Sequence, residues 1–189
     1  HVKIAVAPAD DVEVRQITLH NETNEPRSLT VTSAGRPVLV AKRDAPVHPA
    51  FSSMFVESER LTELDAVMFA RRRKSRDEPQ AVLLHRLVLE DAAATFAGYE
   101  TDRAAFHGRC TSLELPAALA ADRGPLHGRA GAVLDPIMSL MARVELEPRG
   151  TVTLAFVTTV GRSRAAAVEL ARKYGSMHAV RWVFRDAER

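Results

Sequence analysis

The stretch "DVEVRQITLHNETNEPRSLTVTS", residues 11–33, decides how the chain is read. Its first half alternates apolar and polar residues with a period of two, and so does its second half. A polar break, "HNETNEP" (20–26), separates them. Alternation of this kind places one side of a strand against a core, and the pattern as a whole is a hairpin signal. Within the first strand Val12 and Val14 share one parity while Ile17 and Leu19 share the other. The apolar face therefore switches near Arg15 and Gln16, which predicts a bulge or a crossing between sheets.

The same texture continues outward. "RPVLVAKR" (36–43), "SMFVESE" (53–59), "AVMFARRR" (66–73), "QAVLLHRLVLE" (80–90) and "FAGYETD" (96–102) all read as strands. "RLTELD" (60–65) joins the second and third of these as a hairpin. The loop "DAPVHPAFSS" (44–53) holds Pro46 and Pro49, which remove backbone donors and restrain their predecessors, so it reads as ordered. The middle, 103–131, is irregular, and "LELPAALA" (113–120) reads as a short helical turn. "LDPIMSLMARVELEP" (134–148) and "TVTLAFVTTV" (151–160) form a last hairpin across "EPRG", with Gly150 as the left-handed residue.

From residue 162 the period changes. Ala167, Leu170 and Tyr174, then Val180, Val183 and Phe184, recur at helical spacing. Ser163 is placed to cap the N-terminus, and Gly175 to divide the segment into two helices. A run of antiparallel strands followed by helix predicts a mainly β sandwich, residues 1–161, with a helical tail, residues 162–189. Such a tail either packs back on the sandwich or drives self-association, because an isolated amphipathic helix of this length is marginal in water.

Composition sets the outer limits. The 189 residues are 46% hydrophobic, which supports one buried core and argues against disorder. The 26 basic residues nearly balance 24 acidic ones, a mixed surface rather than a nucleic-acid-binding stripe. The single cysteine, Cys110, excludes an internal disulfide framework and suits a reducing compartment. The opening "HVKIAVAPADD" reads as strand and turn rather than signal peptide, and no apolar run approaches the roughly 20 residues a bilayer requires, so no membrane insertion is expected. The chain opens on His1 rather than Met, as a piece of a longer protein would.

Motifs that carry chemistry are sparse. The seven histidines are scattered, with neither HxH nor HExxH, so no metal is expected. "GRAGAVLDP" lacks the lysine and helix of a phosphate loop, and no GxSxG elbow is present. Glu57 and Glu59, two apart on a strand, share a face, as a pair of glycosidase carboxylates must. His85 with Glu57 is the pairing on firm strands that could serve as acid and base. "ARRRKSR" (70–76) reads as a solvated hairpin tip, and "TDRAAFHGRC" (101–110) as irregular backbone braced by Asp102, Arg103 and Arg109.

"DVEVRQITLHNETNEPRSLTVTS", "HPAFSSMFVESE" (48–59), "YETDRAAFHGR" (99–109), "PLHGRAGAVLDPIMSLMARVELEP" (125–148) and "TVTLAFVTTVGRSRAAAVELARKY" (151–174) resemble, in order, the β-sandwich domain of the inverting glycoside phosphorylases, glycoside hydrolase family 94. The likeness is strongest to the phosphorylase-like region of cyclic β-1,2-glucan synthases. It implies an antiparallel super-sandwich of galactose-mutarotase type, with residues 162–189 starting a helical linker to an (α/α)6 barrel. The family's general acid and most of its phosphate pocket lie in that barrel. The resemblance therefore implies a non-catalytic domain that scaffolds and walls the active site of a parent enzyme, with no cofactor. The implied substrate-contacting residues are His48, Phe51, Phe106 and Arg109. The implied partners are a β-glucan oligosaccharide and phosphate, through the parent, together with the barrel and a second subunit. The implied location is the cytoplasmic side of an inner membrane with which the parent associates. Two other functions fit a sandwich: a self-sufficient mutarotase-like sugar enzyme, and a free carbohydrate-binding module with an exposed aromatic platform.

Overall fold

The computed structural model describes residues 1–40, 53–73, 80–108, 114–120 and 126–188. In chain order the elements are β1 (Val2–Val6), β2 (Val12–His20), β3 (Arg27–Gly35), β4 (Val56–Leu61), β5 (Ala66–Arg71), β6 (Val82–Leu89), β7 (Ala94–Asp102), α1 (Arg103–His107), β8 (Gly131–Ala132), β9 (Pro136–Leu146), β10 (Thr151–Gly161), α2 (Arg164–Lys173) and α3 (Met177–Ala187). The strands form a seven-stranded sheet in the order β1-β2-β10-β6-β5-β4-β8 and a three-stranded sheet in the order β3-β9-β7. All pairings are antiparallel.

The expected strands in 11–33 are present, but they do not pair with each other. β2 lies between β1 and β10 in the large sheet, whereas β3 pairs with β9 in the small one. The polar break is thus a crossing from one sheet to the other. The connection 147–150 does the same in reverse, because β9 belongs to the small sheet and β10 to the large one. Asn21, only 4% exposed, locks the two crossings together. Its Nδ2 donates to the carbonyls of Glu25 (2.8 Å) and Glu147 (3.0 Å), and its Oδ1 accepts from Thr23 N (3.0 Å). In the 147–150 turn the left-handed residue is Arg149 (φ 58°), not Gly150. The glycine is needed for space, since a Cβ there would lie 2.9 Å from the carbonyl oxygen of Glu147.

The parity change in β2 also has a different cause from the one expected. Its pairing with β10 runs from Val12 to His20 without a shift, so there is no bulge. The strand is instead covered on both faces. Val12 and Val14 pack under α3, with Val157, Met177, Val180 and Val183. Ile17 and Leu19 point the other way, toward the core between the sheets, where Leu140, Leu154, Phe156 and Phe69 are almost fully buried.

The expected strand at 36–43 is not strand over its described part, 36–40. Pro37 supplies no ladder donor there. Strand β4 starts at Val56 rather than residue 53, after a helical turn at Ser53 and Met54. The other expected strands, and the 3-10 turn at Ala117–Leu119, are present.

The tail packs back on the sandwich. Ser163 caps α2 by accepting from Ala166 N (3.1 Å), and Ser176 caps α3 by accepting from Ala179 N (3.2 Å). Ala167 and Ala171 are fully buried against Ala66, Met68, Val82 and Leu84 on the outer face of the large sheet. Arg86 reaches from β6 to the carbonyl of Ala171 (2.6 Å) and so satisfies an acceptor near the end of α2. The outer face of the small sheet has its own cover, in which Phe106, Ala118 and Leu126 close over Ile137 and Met141.

Candidate functional site

Of the four residues expected to contact substrate, His48, Phe51 and Arg109 lie outside the described residues, as does Cys110. Phe106 sits on α1, whose N-terminus is capped by Asp102 accepting from Ala104 N (2.9 Å). Its ring is 2% exposed, wedged among Ala118, Leu126, Ile137 and Met141, with the His107 ring edge-on at 5.4 Å. It thus forms part of the floor of a cleft rather than a projecting platform.

That cleft, of about 400 Å³, lies on the outer face of the small sheet. The end of β3 contributes Thr32, Ala34 and Gly35, β9 contributes Ile137, and the segment after β7 contributes Arg103 and Phe106. Glu114, Pro116 and Leu119 complete the wall. Three strands are needed to build it. Gly35 pairs with Met138 and Asp102 with Pro136, so the ends of β3 and β7 meet on either side of the start of β9.

Asp135 is the electrostatic node at this junction. It accepts from Arg103 Nη1 (2.6 Å), its carbonyl accepts from Arg103 N (2.9 Å), and Arg36 Nη2 lies 3.5 Å away. Arg36 also donates to Ser53 Oγ (2.9 Å). The expected brace within 101–110 is therefore distributed differently: Arg103 binds Asp135, and Asp102 binds Arg129 (3.1 Å). Sequence reasoning missed Arg36, Asp135 and Thr32. A signal for the first two was present, because each precedes a proline and is held extended by it. Their proximity depends on β3 pairing with β9, which the sequence alone does not reveal.

The acid–base pairing of His85 with Glu57 does not exist. His85 points into the core and is 1% exposed, whereas Glu57 lies on the outer face of the same sheet. His85 Nδ1 is 2.9 Å from Thr158 Oγ1 and Nε2 is 3.0 Å from Ser33 Oγ, and the ring stacks on Phe156 at 5.7 Å. Burial, helped by repulsion from Arg15, pushes its pKa down to about 3, so the imidazole is neutral at physiological pH. Glu57 and Glu59 do share an exposed face, and Glu59 is ion-paired with Arg164 of α2 (2.6 Å). No group of three His, Cys, Asp or Glu suited to a metal occurs among the described residues. No helix among them is long and apolar enough to cross a membrane.

Two antiparallel sheets, with helices on one outer face and a polar cleft on the other, define a sandwich domain of a carbohydrate enzyme once the chain is set beside known proteins. Residues 1–177 match the family model described as glycosyl hydrolase 94, supersandwich domain, and the chain belongs to this family. Over 164 residues it is 32% identical to the cyclic beta-(1,2)-glucan synthase NdvB of Rhizobium meliloti (strain 1021), a match that covers 86% of this chain and 6% of that protein. The chain thus spans a small fraction of the relative's length.

Proposed function

We propose that this chain is a non-catalytic sandwich domain of an enzyme resembling a cyclic β-1,2-glucan synthase, in which it scaffolds the catalytic part and walls its active site. The supporting observation is the state of His85. Both ring nitrogens are occupied by hydroxyls, one from each sheet, and the ring is neutral and sealed from solvent. The side chain best suited to proton transfer holds the two sheets together instead. In this reading α2 and α3 lead toward a helical barrel that holds the general acid and the phosphate pocket.

Two measurements test this. The chain, incubated with phosphate and β-1,2-oligoglucosides, releases no glucose 1-phosphate; release at enzyme-like rates overturns the proposal. In the Rhizobium synthase, excision of the matching 164-residue segment is expected to abolish cyclic glucan formation. Normal product from the shortened enzyme counts equally against it.

A further inference from the structure

We infer that the cleft on the outer face of the small sheet is itself a binding site for a neutral β-linked glucan unit, separate from any active site walled by neighbouring loops. The choice of glucan rests on the carbohydrate-enzyme assignment; the existence of the site rests on its own geometry.

Its size is the first argument. A cavity of about 400 Å³ falls within the range of roughly 300–1,000 Å³ typical of small-molecule sites, and one or two hexose rings fill it. The second argument is its mixture of groups. Phe106, Ile137 and Leu119 offer an apolar surface for the carbon face of a pyranose. Around them stand donors on Arg36 and Arg103 and an acceptor on Glu114.

Charge balance then selects the ligand class. The two guanidinium groups share Asp135, and Glu114 supplies a second carboxylate, so the lining carries no excess positive charge for an anion among the described residues. Alternating donors and acceptors suit hydroxyl groups, each of which gives one hydrogen bond and takes others.

The third argument is the set of polar atoms this face leaves unsatisfied. Thr32 lines the cleft, and its buried Oγ1 has no hydrogen-bond partner among the described residues. Ser139 is the register partner of both Ala34 and Glu100, on the face that carries Ile137 and Met141. Its hydroxyl and Glu100 Oε2, in residues 0% and 1% exposed, are likewise unsatisfied. Buried polar atoms almost always find partners. Thr32 is the one of the three that lines the cleft, and its Oγ1 marks a place where a ligand hydroxyl or its bridging water completes the network.

The test is a titration of the 15N-labelled chain with a β-1,2-linked diglucoside, followed by amide shifts. Saturable shifts at Thr32, Ala34, Gly35, Arg103 and His107 are expected. Thr32→Val, which removes a hydroxyl and keeps the shape, weakens binding about fivefold, the value of one hydrogen bond. Ala34→Trp, at an exposed position, fills the cleft and abolishes saturation while the remaining spectrum stays folded. Shifts that do not saturate, or saturation unchanged in Ala34→Trp, overturn the site. Inorganic phosphate shifting these amides where the diglucoside does not overturns the ligand class, and leaves the synthase assignment to its own excision test.

Discussion

His85 Nε2 on the large sheet and Ser33 Oγ on the small sheet lie 3.0 Å apart, a polar bridge between the two sheets within a largely apolar core. The bridge makes stability depend on pH in a defined direction. The folded pKa, about 3, is far below the ordinary value of 6.5, so the unfolded chain binds a proton that the folded chain refuses. The stabilising contribution is complete above pH 6.5 and is lost as pH falls toward 3. The slope approaches about 1.4 kcal/mol per pH unit in that window. Urea midpoints at pH 7 and pH 5 measure it. In His85→Leu the difference between the two midpoints shrinks by about the contribution of one titrating group. An unchanged difference would show that His85 is protonated in the fold.

Asn21 supports a second prediction. Asn21→Ala removes a buried amide that joins both crossings between the sheets and leaves Thr23 N without its acceptor. A loss of about 2–3 kcal/mol is expected, from several hydrogen bonds at about 1 kcal/mol each. Chemical denaturation measures it; a change under 0.5 kcal/mol, roughly the level of an ordinary surface substitution, contradicts the locking role.

These two residues also mark where the sequence was legible and where it was not. Alternation places Val12 to Leu19 and Leu29 to Val31 in strands, because burying one side of a pleat leaves a period of two. It does not say which strand is the neighbour. A turn of polar residues can return the chain beside itself or carry it to the opposite sheet, and only Asn21, bonding to a turn 126 residues away, settles which. The helices were legible because spacing, the cap at Ser163 and the break at Gly175 agree. The cleft was not, since Thr32, Arg36, Arg103 and Asp135 come from three separate stretches that meet only through the β3-β9-β7 order. Phe106, expected to contact substrate, is 2% exposed instead, because the cover formed by Ala118 and Leu126 is invisible in local sequence.

Gly161, at the end of β10, gives the third prediction. A Cβ there would lie 2.5 Å from Ala167 N and 2.9 Å from its Cα, both helix backbone, so the first turn of α2 must move. Gly161→Ala therefore costs about 1–3 kcal/mol, the range for overpacking a close contact. Thermal melting measures the loss, and hydrogen exchange locates it in α2. A variant as stable as the parent would show that α2 sits less closely on the sheet.

The fourth prediction concerns how the tail is held. Asp10, in the turn between β1 and β2, accepts from Lys173 Nζ and from Tyr174 OH, each at 2.6 Å. The Lys173 ammonium, then the tyrosine hydroxyl, hold its carboxyl below the usual aspartate range. This contribution is complete above that range and fades as pH falls through the lowered value. Arg181 of α3 pairs with Glu90, and Val180 and Val183 insert beside Val12 and Val14. Apolar packing does most of the holding, and the partly exposed Asp10 clamp fixes the orientation. Asp10→Ala should therefore speed amide exchange at the end of α2 and into α3 several-fold without unfolding the sandwich. Val183→Asp, which places an unpaired charge in a residue 1% exposed, should release the helix altogether. In the parent chain the protection of α3 should not change with protein concentration, because its apolar face is covered by its own sandwich. Protection that rises with concentration would mean that the face is covered by a second copy instead, and Asp10 would then be a minor contact.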